Sequence, residues 1–531
     1  MSEIDACLPA PLKDFVFDLH DSARRSFVVT EQEALYTGEF RELTSKYFSN
    51  TAWPSTDSVS SECGADPLFL ALYKELTHRH LHSISRPQVR DRIDGWRVYR
   101  ALFDQLLKEA DAASEEGAEV QELYILPTWA FDIMHEFVYQ FQGFCQFRTT
   151  SASNASQAAK KEDDGNNGQN KSHHLNETMD VLTSNRDAWA VETVLFYLHR
   201  LVVFAGGNAP TKAHYHLGVF ARVALSRMEC LLGDYRACLS AVSPIVEERA
   251  VVDTVFSARL SLAYHAGVSY LMLRRYRDAA RTLGSICSAL QRAFKTGQIG
   301  GRNNNQTHGG NANVHNDQSR KINDRMIALL AIVTHVCPAT WITIDDERVS
   351  KLIREKHGSQ LAKIEAGEEG YEDLFMFACP KFVSPAVPDY GGVTKSHAAN
   401  HDVYRLQVRQ FMLEMNQHAT LRKLRSYMKL YSSIGVEKLA AFNDVPKEEF
   451  VDMLLCYKHR MRQLEVVPGE SEGEAAGEEA KDALDIHFFL DADVVHVDEA
   501  AKQRRFEKFF LTQISLSGEI SREAELIKAT I

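Results

Sequence analysis

The segment from Leu421 to Phe510 most constrains the fold, because its pattern changes from helical to strand-like near its end. Three short helical segments come first, separated by Gly435 and by the Asn443–Pro446 turn. Glycine commonly ends a helix, and proline suits a first helical turn. Two β-branched runs follow, at 486–490 and 494–497, and they predict a hairpin. Three helices followed by a hairpin are the order of elements in a winged helix.

The rest of the chain has a helical pattern almost throughout. Apolar residues recur at intervals of three and four in the segments 65–82, 96–110, 130–148, 188–204 and 219–242. Strand patterns are nearly confined to the C-terminal hairpin. The sequence therefore predicts a mostly α fold, in which a long helical array ends in one small winged-helix module.

Two stretches of the array have the order of a degenerate tetratricopeptide-like hairpin. In each, a turn precedes a tyrosine, Tyr235 or Tyr276, and a small residue follows on the second helix. Gly267 is a small residue on the first helix of the later stretch. The two tyrosines lie 41 residues apart, more than the usual repeat of about 34. Small residues at these places let two helices approach closely.

Three polar tracts divide the chain. Polar residues and glycine dominate Thr149–Glu177 and Thr296–Gln318, so we expect both to be disordered loops. Pro468–Asp482 is an acidic insertion between the last helix and the hairpin. The expected parts are an N-terminal helical region at 1–148, a helical-repeat region at 178–295, a helical region at 319–420, the winged helix at 421–515 and a tail at 516–531.

Composition narrows the class of protein. The chain is 45% hydrophobic and 25% charged, as in ordinary soluble globular proteins. No apolar run approaches the roughly 20 residues that span a bilayer, and the N-terminal residues lack a signal-peptide pattern. A net charge of −12 argues against coating nucleic acid through bulk electrostatics, although a local basic face remains compatible with it. We expect a cytoplasmic protein.

Motifs for catalysis and cofactors are missing. The nine cysteines contain no C-x-x-C pair and are expected to be buried, reduced thiols. No phosphate-binding glycine loop, nucleophile elbow or zinc-protease helix occurs. His78, His80 and His82 alternate at two, which spreads them around a helix. We therefore expect no enzyme, no metal and no cofactor.

His214 and His216 form a His-x-His motif like that of lid-type metallopeptidases. The serine and aspartate that should follow are replaced by Ala224 and Arg227. Hydrogen-bonded or solvated histidines are the favoured interpretation.

Two further groups could bind a partner. Lys458, Arg460 and Arg462 near the end of the third winged-helix segment are candidate RNA contacts, but acids share that helix, so a solvated face is favoured. Phe137, Phe141, Phe144 and Phe147 could cradle a peptide; helix-packing core is favoured for them.

A helical array that runs into a terminal winged helix is the architecture of the PCI domain, found in the proteasome lid, the COP9 signalosome and eukaryotic translation initiation factor 3. Eight blocks in order resemble the subunit L family of that initiation factor: YFSNTAWP (47–54), LYKELTHRH (72–80), DIMHEFVYQFQGFCQFR (132–148), GVSYLMLRRYRDA (267–279), REKHG (354–358), CPKFVSPAVPDY (379–390), SYMKLYSSIGVEKLAAF (426–442) and FFLDADVVHV (488–497).

The resemblance implies a non-catalytic scaffold. Its expected partners are other subunits of the initiation factor, notably subunits K and E, with the 40S ribosomal subunit reached indirectly. It also implies docking through edge strands of neighbouring wings, and the expected wing positions are Ile486, Phe488, Leu490, Val495 and Val497. Whichever face of the wing is not core would meet a neighbour, and one strand pair does not decide which face that is. An RNA-binding winged helix, and a scaffold subunit of a lid or signalosome complex, remain as alternatives.

Overall fold

The computed structural model describes most of the chain. The exceptions are residues 1–7, 26–27, 85–86, 114–120, 163–168, 208, 297–309, 345, 369, 385, 388–396, 429, 468–476, 483–486 and 499–509, and, beyond 510, all but 513–514, 517–518 and 521. The chain forms two compact units: unit 1 is Met1–His335 with Thr340–Leu413, and unit 2 is Val336–Ala339 with Glu414–Ile531.

Unit 1 is helical, as the sequence predicts. Its first helices are α1 Ala10–Arg24, α2 Val29–Glu33, α3 Phe40–Tyr47, α4 Thr56–Val59, α5 Pro67–Ile84, α6 Val89–Ala113, α7 Pro127–Glu162, α8 Gln169–Ser184 and α9 Val191–Val202. They are followed by α10 Lys212–Leu232, α11 Tyr235–Val242, α12 Ile245–Thr254, α13 Phe256–Met272, α14 Tyr276–Thr296, α15 Gly310–Val336, α16 Glu347–Ala366 and α17 Glu372–Ala378. Helix α18, His397–Met428, begins in unit 1 and ends in unit 2.

Aromatic side chains form much of the core of unit 1. The ring of Phe103 on α6 meets that of Phe137 on α7 edge-on, at 4.9 Å between centroids, and Trp189 lies 5.5 Å from Phe137. Phe137 and Phe141 are completely buried. The predicted core role of this stripe is therefore confirmed for those phenylalanines, while half-buried Phe147 lies under the guanidinium of Arg92, 4.7 Å from its charged carbon.

The two predicted helical hairpins are confirmed as α10–α11 and α13–α14. Gly233 ends α10 with φ of 88°, a left-handed conformation that glycine adopts without strain. The carboxylate of Asp234 then accepts the backbone N–H of Ala237 at 2.9 Å and so caps α11. A Cβ on Gly267 would lie 2.5 Å from Cδ2 of Leu283, so α13 and α14 approach closely at this glycine.

The polar tracts are more helical than predicted. Helix α7 continues to Glu162 and α8 begins at Gln169, so most of the predicted loop 149–177 is helical; α15 likewise begins at Gly310, inside 296–318. Burial explains the start of this extension of α7, because Ser151 is 7% exposed and Ala152 only 2%.

Unit 2 contains the predicted winged helix. After α18 come β1 Ser433–Gly435, α19 Val436–Phe442, α20 Lys447–Met461, β2 Arg462–Val467, β3 Gly477–Asp482, β4 His487–Asp491 and β5 Val494–Asp498. Strands β1, β5 and β4 form one antiparallel sheet in that order.

Three details of unit 2 differ from the sequence prediction. Strand β1 was predicted as the end of a helix. The predicted last helix stops at Met461, and β2 pairs with β3, the end of the acidic insertion. Along β2 the polar side chains of Gln463 and Glu465 are buried while Leu464 is 48% exposed. Because this alternation places polar residues inside, a search for apolar periodicity in the sequence does not find strand β2.

We expect Gly218→Ala to lower the free energy of unfolding by about 1–3 kcal/mol. Gly218 lies on α10, and an added Cβ would be 2.6 Å from the backbone nitrogen of Ala205 and 2.9 Å from the carbonyl oxygen of Leu201. Backbone atoms cannot move aside as a flexible side chain can. Thermal and urea unfolding of the whole chain would measure the change.

Gly358→Ala is the matched control, because Gly358 lies inside α16 with nothing within 4 Å of its added Cβ. This substitution should raise the free energy of unfolding by about 0.5–1 kcal/mol, through the higher helix propensity of alanine. Equal unfolding midpoints for the two variants would contradict the packing described for Gly218.

Candidate functional site

The core of the winged-helix module joins its helices to its sheet. Tyr457 on α20 lies parallel to the ring of Phe488 on β4, with centroids 6.3 Å apart and an interplanar angle of 6°. The remaining members of this core are Leu424, Met428, Ile434, Val436, Leu439, Ala440, Phe450, Leu454, Met461 and Val495. The hairpin β4–β5 is thus fixed against α20 by one of its two faces.

The side chains predicted to form a subunit interface belong to this core. Phe488 is 3% exposed and Val495 is completely buried, while Leu490 and Val497 are half-buried against the same cluster. Ile486 lies outside the described residues. Successive side chains of a strand point to opposite faces, so burial of these four excludes their side chains from the outer face. Phe488 and Val495 are thus core side chains, and a subunit interface at the predicted wing positions stays a prediction.

The opposite face of the hairpin carries Phe489, which the sequence analysis did not select. Its side chain is 53% exposed and stacks on the ring of His496, with centroids 5.1 Å apart and an interplanar angle of 16°. His487 and Asp491, two residues away on either side, are also exposed. The alternation of side chains along β4 predicts that Phe489 shares a face with His487 and Asp491. Only the contact of the opposite face with α20 shows that this face is the outer one.

Strand β4 is one edge of the three-stranded sheet and β1 is the other, as far as the structure describes it. On β5, Val497 donates its backbone N–H to Ser432 at 2.8 Å, toward β1. Backbone N–H and C=O groups of neighbouring residues in a strand point in opposite directions. The backbone groups of His496 therefore point toward β4, where His496 is paired with Phe489. The backbone groups of Phe488 and Leu490 consequently point away from β5, along the outer edge.

Lys458 covers part of this edge. Its ammonium donates to the backbone carbonyl of Phe488 at 3.0 Å and lies 5.6 Å from the centre of the Phe488 ring. This bond independently shows that the Phe488 carbonyl points outward. The backbone N–H and C=O of Leu490 lie further along the same edge. A strand from another molecule could pair there, because edge groups are a template for strand addition.

Two of the three candidate RNA contacts near the end of α20 are engaged within unit 2. Arg460 donates to the carboxylate of Glu414 at 3.0 Å and also hydrogen-bonds Gln417. Lys458 is held at the β4 edge, and Arg462 is exposed in β2. The structure therefore does not bring the three cations together as one phosphate-binding row on a helix.

The His-x-His motif has the hydrogen-bonded role that the sequence analysis favoured. Nδ1 of His214 lies 2.8 Å from the Thr211 hydroxyl, and its Nε2 lies 3.2 Å from the carbonyl oxygen of Leu106. Burial lowers the pKa of His214 to about 4, so the ring is neutral at pH 7. Nδ1 of His216 lies 3.0 Å from the Ile125 carbonyl oxygen. Both histidines thus join α10 to neighbouring segments.

Arg227, at the position where a peptidase would have a ligand, is also a packing residue. It donates to Nδ1 of His135 and to Oε1 of Gln142, both at 3.2 Å, and burial lowers its pKa to about 10. Across the part of the chain that the structure describes, no cluster of three or more His, Cys, Asp or Glu side chains is placed to hold a metal ion.

Most cysteines agree with the prediction of buried thiols, but Cys456 does not. Seven of the eight cysteines in the described residues are buried, while Cys456 on α20 is exposed. Burial raises the pKa of the Cys145 thiol to about 11, which keeps it protonated at neutral pH. Among the described helices, none is long and apolar enough to cross a membrane.

The fold and the site define a class: an α-helical repeat protein that ends in a winged-helix module whose β4 edge faces outward. A family profile described as Paf67, RNA polymerase I-associated factor PAF67, matches residues 91–516.

Relatives that share one name with each other match nearly the whole chain. Eukaryotic translation initiation factor 3 subunit L of Mus musculus and that of Homo sapiens are each 31% identical over 92% of this chain and 82% of the relative. Subunit L of Nematostella vectensis is 29% identical over 98% of this chain and 94% of the relative. The chain belongs to the eukaryotic translation initiation factor 3 subunit L family. This membership supports its assignment as a translation initiation factor subunit.

The two faces of β4 should respond differently to truncation. We expect Phe488→Ala to lower the free energy of unfolding of unit 2 by about 3–5 kcal/mol, because a buried ring is removed from the core. Phe489→Ala, the matched control one residue away, should change it by about 0.5 kcal/mol or less. Amide hydrogen exchange in unit 2, measured as a function of urea concentration, would give both changes, and a larger loss for Phe489→Ala would reverse the assignment of faces.

Proposed function

We propose that this chain is a non-catalytic scaffold subunit of eukaryotic translation initiation factor 3, which docks on sister subunits through its winged-helix module. In this role it supports recruitment of mRNA and initiator tRNA to the small ribosomal subunit. Family membership supports the assignment to the initiation factor. The observation that carries the docking role is the outward-facing edge of β4, where the backbone groups of Leu490 lie beside the exposed ring of Phe489.

The chemistry of this edge suits a strand rather than a small ligand. A partner strand that pairs with Leu490 would satisfy its backbone N–H and C=O, which water otherwise solvates. Phe489 would then lie beside side chains of the added strand and lose its exposed apolar area, while the core face stays closed by Phe488 and Val495. The backbone supplies affinity in this mode, and the outer face supplies selectivity.

In the chain without a partner subunit, Lys458 covers part of the β4 edge. Its bond to the Phe488 carbonyl satisfies one outward acceptor, and a charged residue at an edge discourages pairing with unrelated strands. A sister subunit must displace the ammonium or pair only beyond it, at Leu490. Subunits K and E are the proposed neighbours, the 40S ribosomal subunit is reached through the complex, and the proposed location is the cytoplasm.

An RNA-binding winged helix is the alternative from another functional class. It would use Lys458, Arg460 and Arg462, but the first two of these cations already bond within unit 2. A scaffold subunit of a lid or signalosome complex is less well supported, since the relatives named above are initiation factor subunits.

We expect Phe489→Lys to reduce co-purification of sister subunits from cells that express the tagged full-length chain. A lysine on the outer face keeps the hairpin intact but places a charge where an apolar contact is proposed. Phe196→Lys is the control, since Phe196 on α9 in unit 1 is equally exposed, 54% against 53% for Phe489. It should leave assembly unchanged.

Quantitative mass spectrometry of the purified material separates the outcomes. Loss of initiation factor subunits in the Phe489 variant alone supports docking at the wing. Unchanged recovery of every subunit in that variant contradicts it. Recovery of proteasome-lid or signalosome subunits with the unaltered chain would contradict the assignment to the initiation factor.

A further inference from the structure

Helix α14 carries a row of cations along one side. Its charged residues are Arg277, Arg281, Arg292 and Lys295, against a single acid, Asp278. With 3.6 residues per turn, the four cations fall within about 60° of the helix circumference. Arg281, Arg292 and Lys295 are exposed and Arg277 is half-exposed. We call these four residues the α14 stripe.

The opposite side of α14 fixes its orientation. Tyr276, Leu283, Cys287 and Leu290 are all completely buried in unit 1, so the helix cannot rotate to hide the stripe. From Arg277 to Lys295 the stripe is about 27 Å long, at 1.5 Å per residue. It is therefore an extended cationic row rather than a pocket for one small anion.

The acid on α14 pairs with one cation of the row. Asp278 is 2% exposed and accepts hydrogen bonds from Arg275 at 2.8 Å and from Arg281 at 3.1 Å. Arg275 is itself buried, so it also balances the buried carboxylate from within the helix packing. Arg277 and Arg281 both have partners within the protein, so the exposed Arg292 and Lys295 carry most of the positive charge that the stripe turns to solvent.

Neighbouring helices continue the positive surface. Arg320 on α15 lies over the ring of Phe294, 6.0 Å from its centre, next in sequence to Lys295. Arg320 and Lys321 are both exposed. On the side of α16, the carboxylate of Asp346 is occupied by Arg348, whose two hydrogen bonds to it measure 3.0 and 2.9 Å.

The helices that contact α14 offer no exposed apolar anchor. None of the described large hydrophobic side chains of α13, α15 and α16 is exposed. Protein partners usually bind through a few buried apolar or aromatic side chains surrounded by polar contacts. A phosphate backbone needs only donors and positive charge, and exposed Ser285 on the same side of α14 adds a hydroxyl group, whereas the Ser288 hydroxyl donates to the Asp346 carboxylate. These features favour a nucleic-acid backbone over an acidic peptide.

We propose that the α14 stripe binds the phosphate backbone of RNA, independently of base sequence. The choice of RNA over DNA rests on the proposed function, whereas the phosphate recognition rests on the stripe itself. This site is separate from α20 and from the β4 edge. A chain of net charge −12 would then contact RNA through one local row of cations.

Fluorescence anisotropy of a short fluorescein-labelled RNA of mixed sequence tests the proposal with the full-length chain. The variant is Arg292→Gln with Lys295→Gln, two exposed positions whose substitution leaves the buried side of α14 intact. The control is Arg97→Gln with Arg100→Gln on α6, the same charge change at side chains 65% and 63% exposed. Circular dichroism confirms folding of both.

We expect the α14 variant to bind roughly tenfold more weakly near physiological salt and the control to bind like the unaltered chain. The slope of log Kd against log salt should fall by about 1.4 in the α14 variant, since each phosphate contact with a single strand contributes about 0.7.

Four results would overturn the proposal. The first three are no RNA binding by the unaltered chain, equal weakening in variant and control, and displacement of the RNA by polyglutamate at matched charge. The fourth is loss of RNA binding only when Lys458, Arg460 and Arg462 are changed to glutamine, which would favour α20 as the RNA site. Co-purification of sister subunits, measured in parallel, shows whether the scaffold role stands or fails separately.

Discussion

The contact between Phe488 and Tyr457 determines how the winged-helix module presents its sheet. Their parallel rings, 6.3 Å apart, fix the β4–β5 hairpin against α20. Because side chains alternate along a strand, burying Phe488 turns Phe489 outward. The same alternation directs the backbone of Leu490 to the edge that β5 leaves free. One core contact thus fixes both the outer face and the edge that we propose as the docking surface.

The order of elements could be predicted from the sequence because helices and the hairpin have strong periodic patterns. The outer face of the hairpin could not, since Phe488 and Phe489 are chemically identical and only the position of Tyr457 distinguishes them. Strand β2 was missed because it buries Gln463 and Glu465 while exposing Leu464. The helical part of 149–177 was missed because its polar composition gives no sign that Ser151 and Ala152 are buried.

Charge is used differently in the two units. In unit 2, Arg460 is paired with Glu414 and Lys458 covers a strand edge, so these cations stabilise the module or protect it. In unit 1, the cations of α14 lie opposite a fully buried helix face and have one acid among them. A sequence search for basic residues on a winged helix therefore selects α20, whereas the structure draws attention to α14. The distinction depends on partners and burial, which spacing alone does not report.

Residue-resolved amide hydrogen exchange at β4 tests the docking account most directly. The amide of Phe489 is paired with β5 in the free chain and should be protected both alone and in the assembled initiation factor. The amide of Leu490 points to the outer edge, so it should exchange rapidly in the free chain and become protected on assembly. Equal exchange of the Leu490 amide in the free and assembled states would contradict strand addition at the wing.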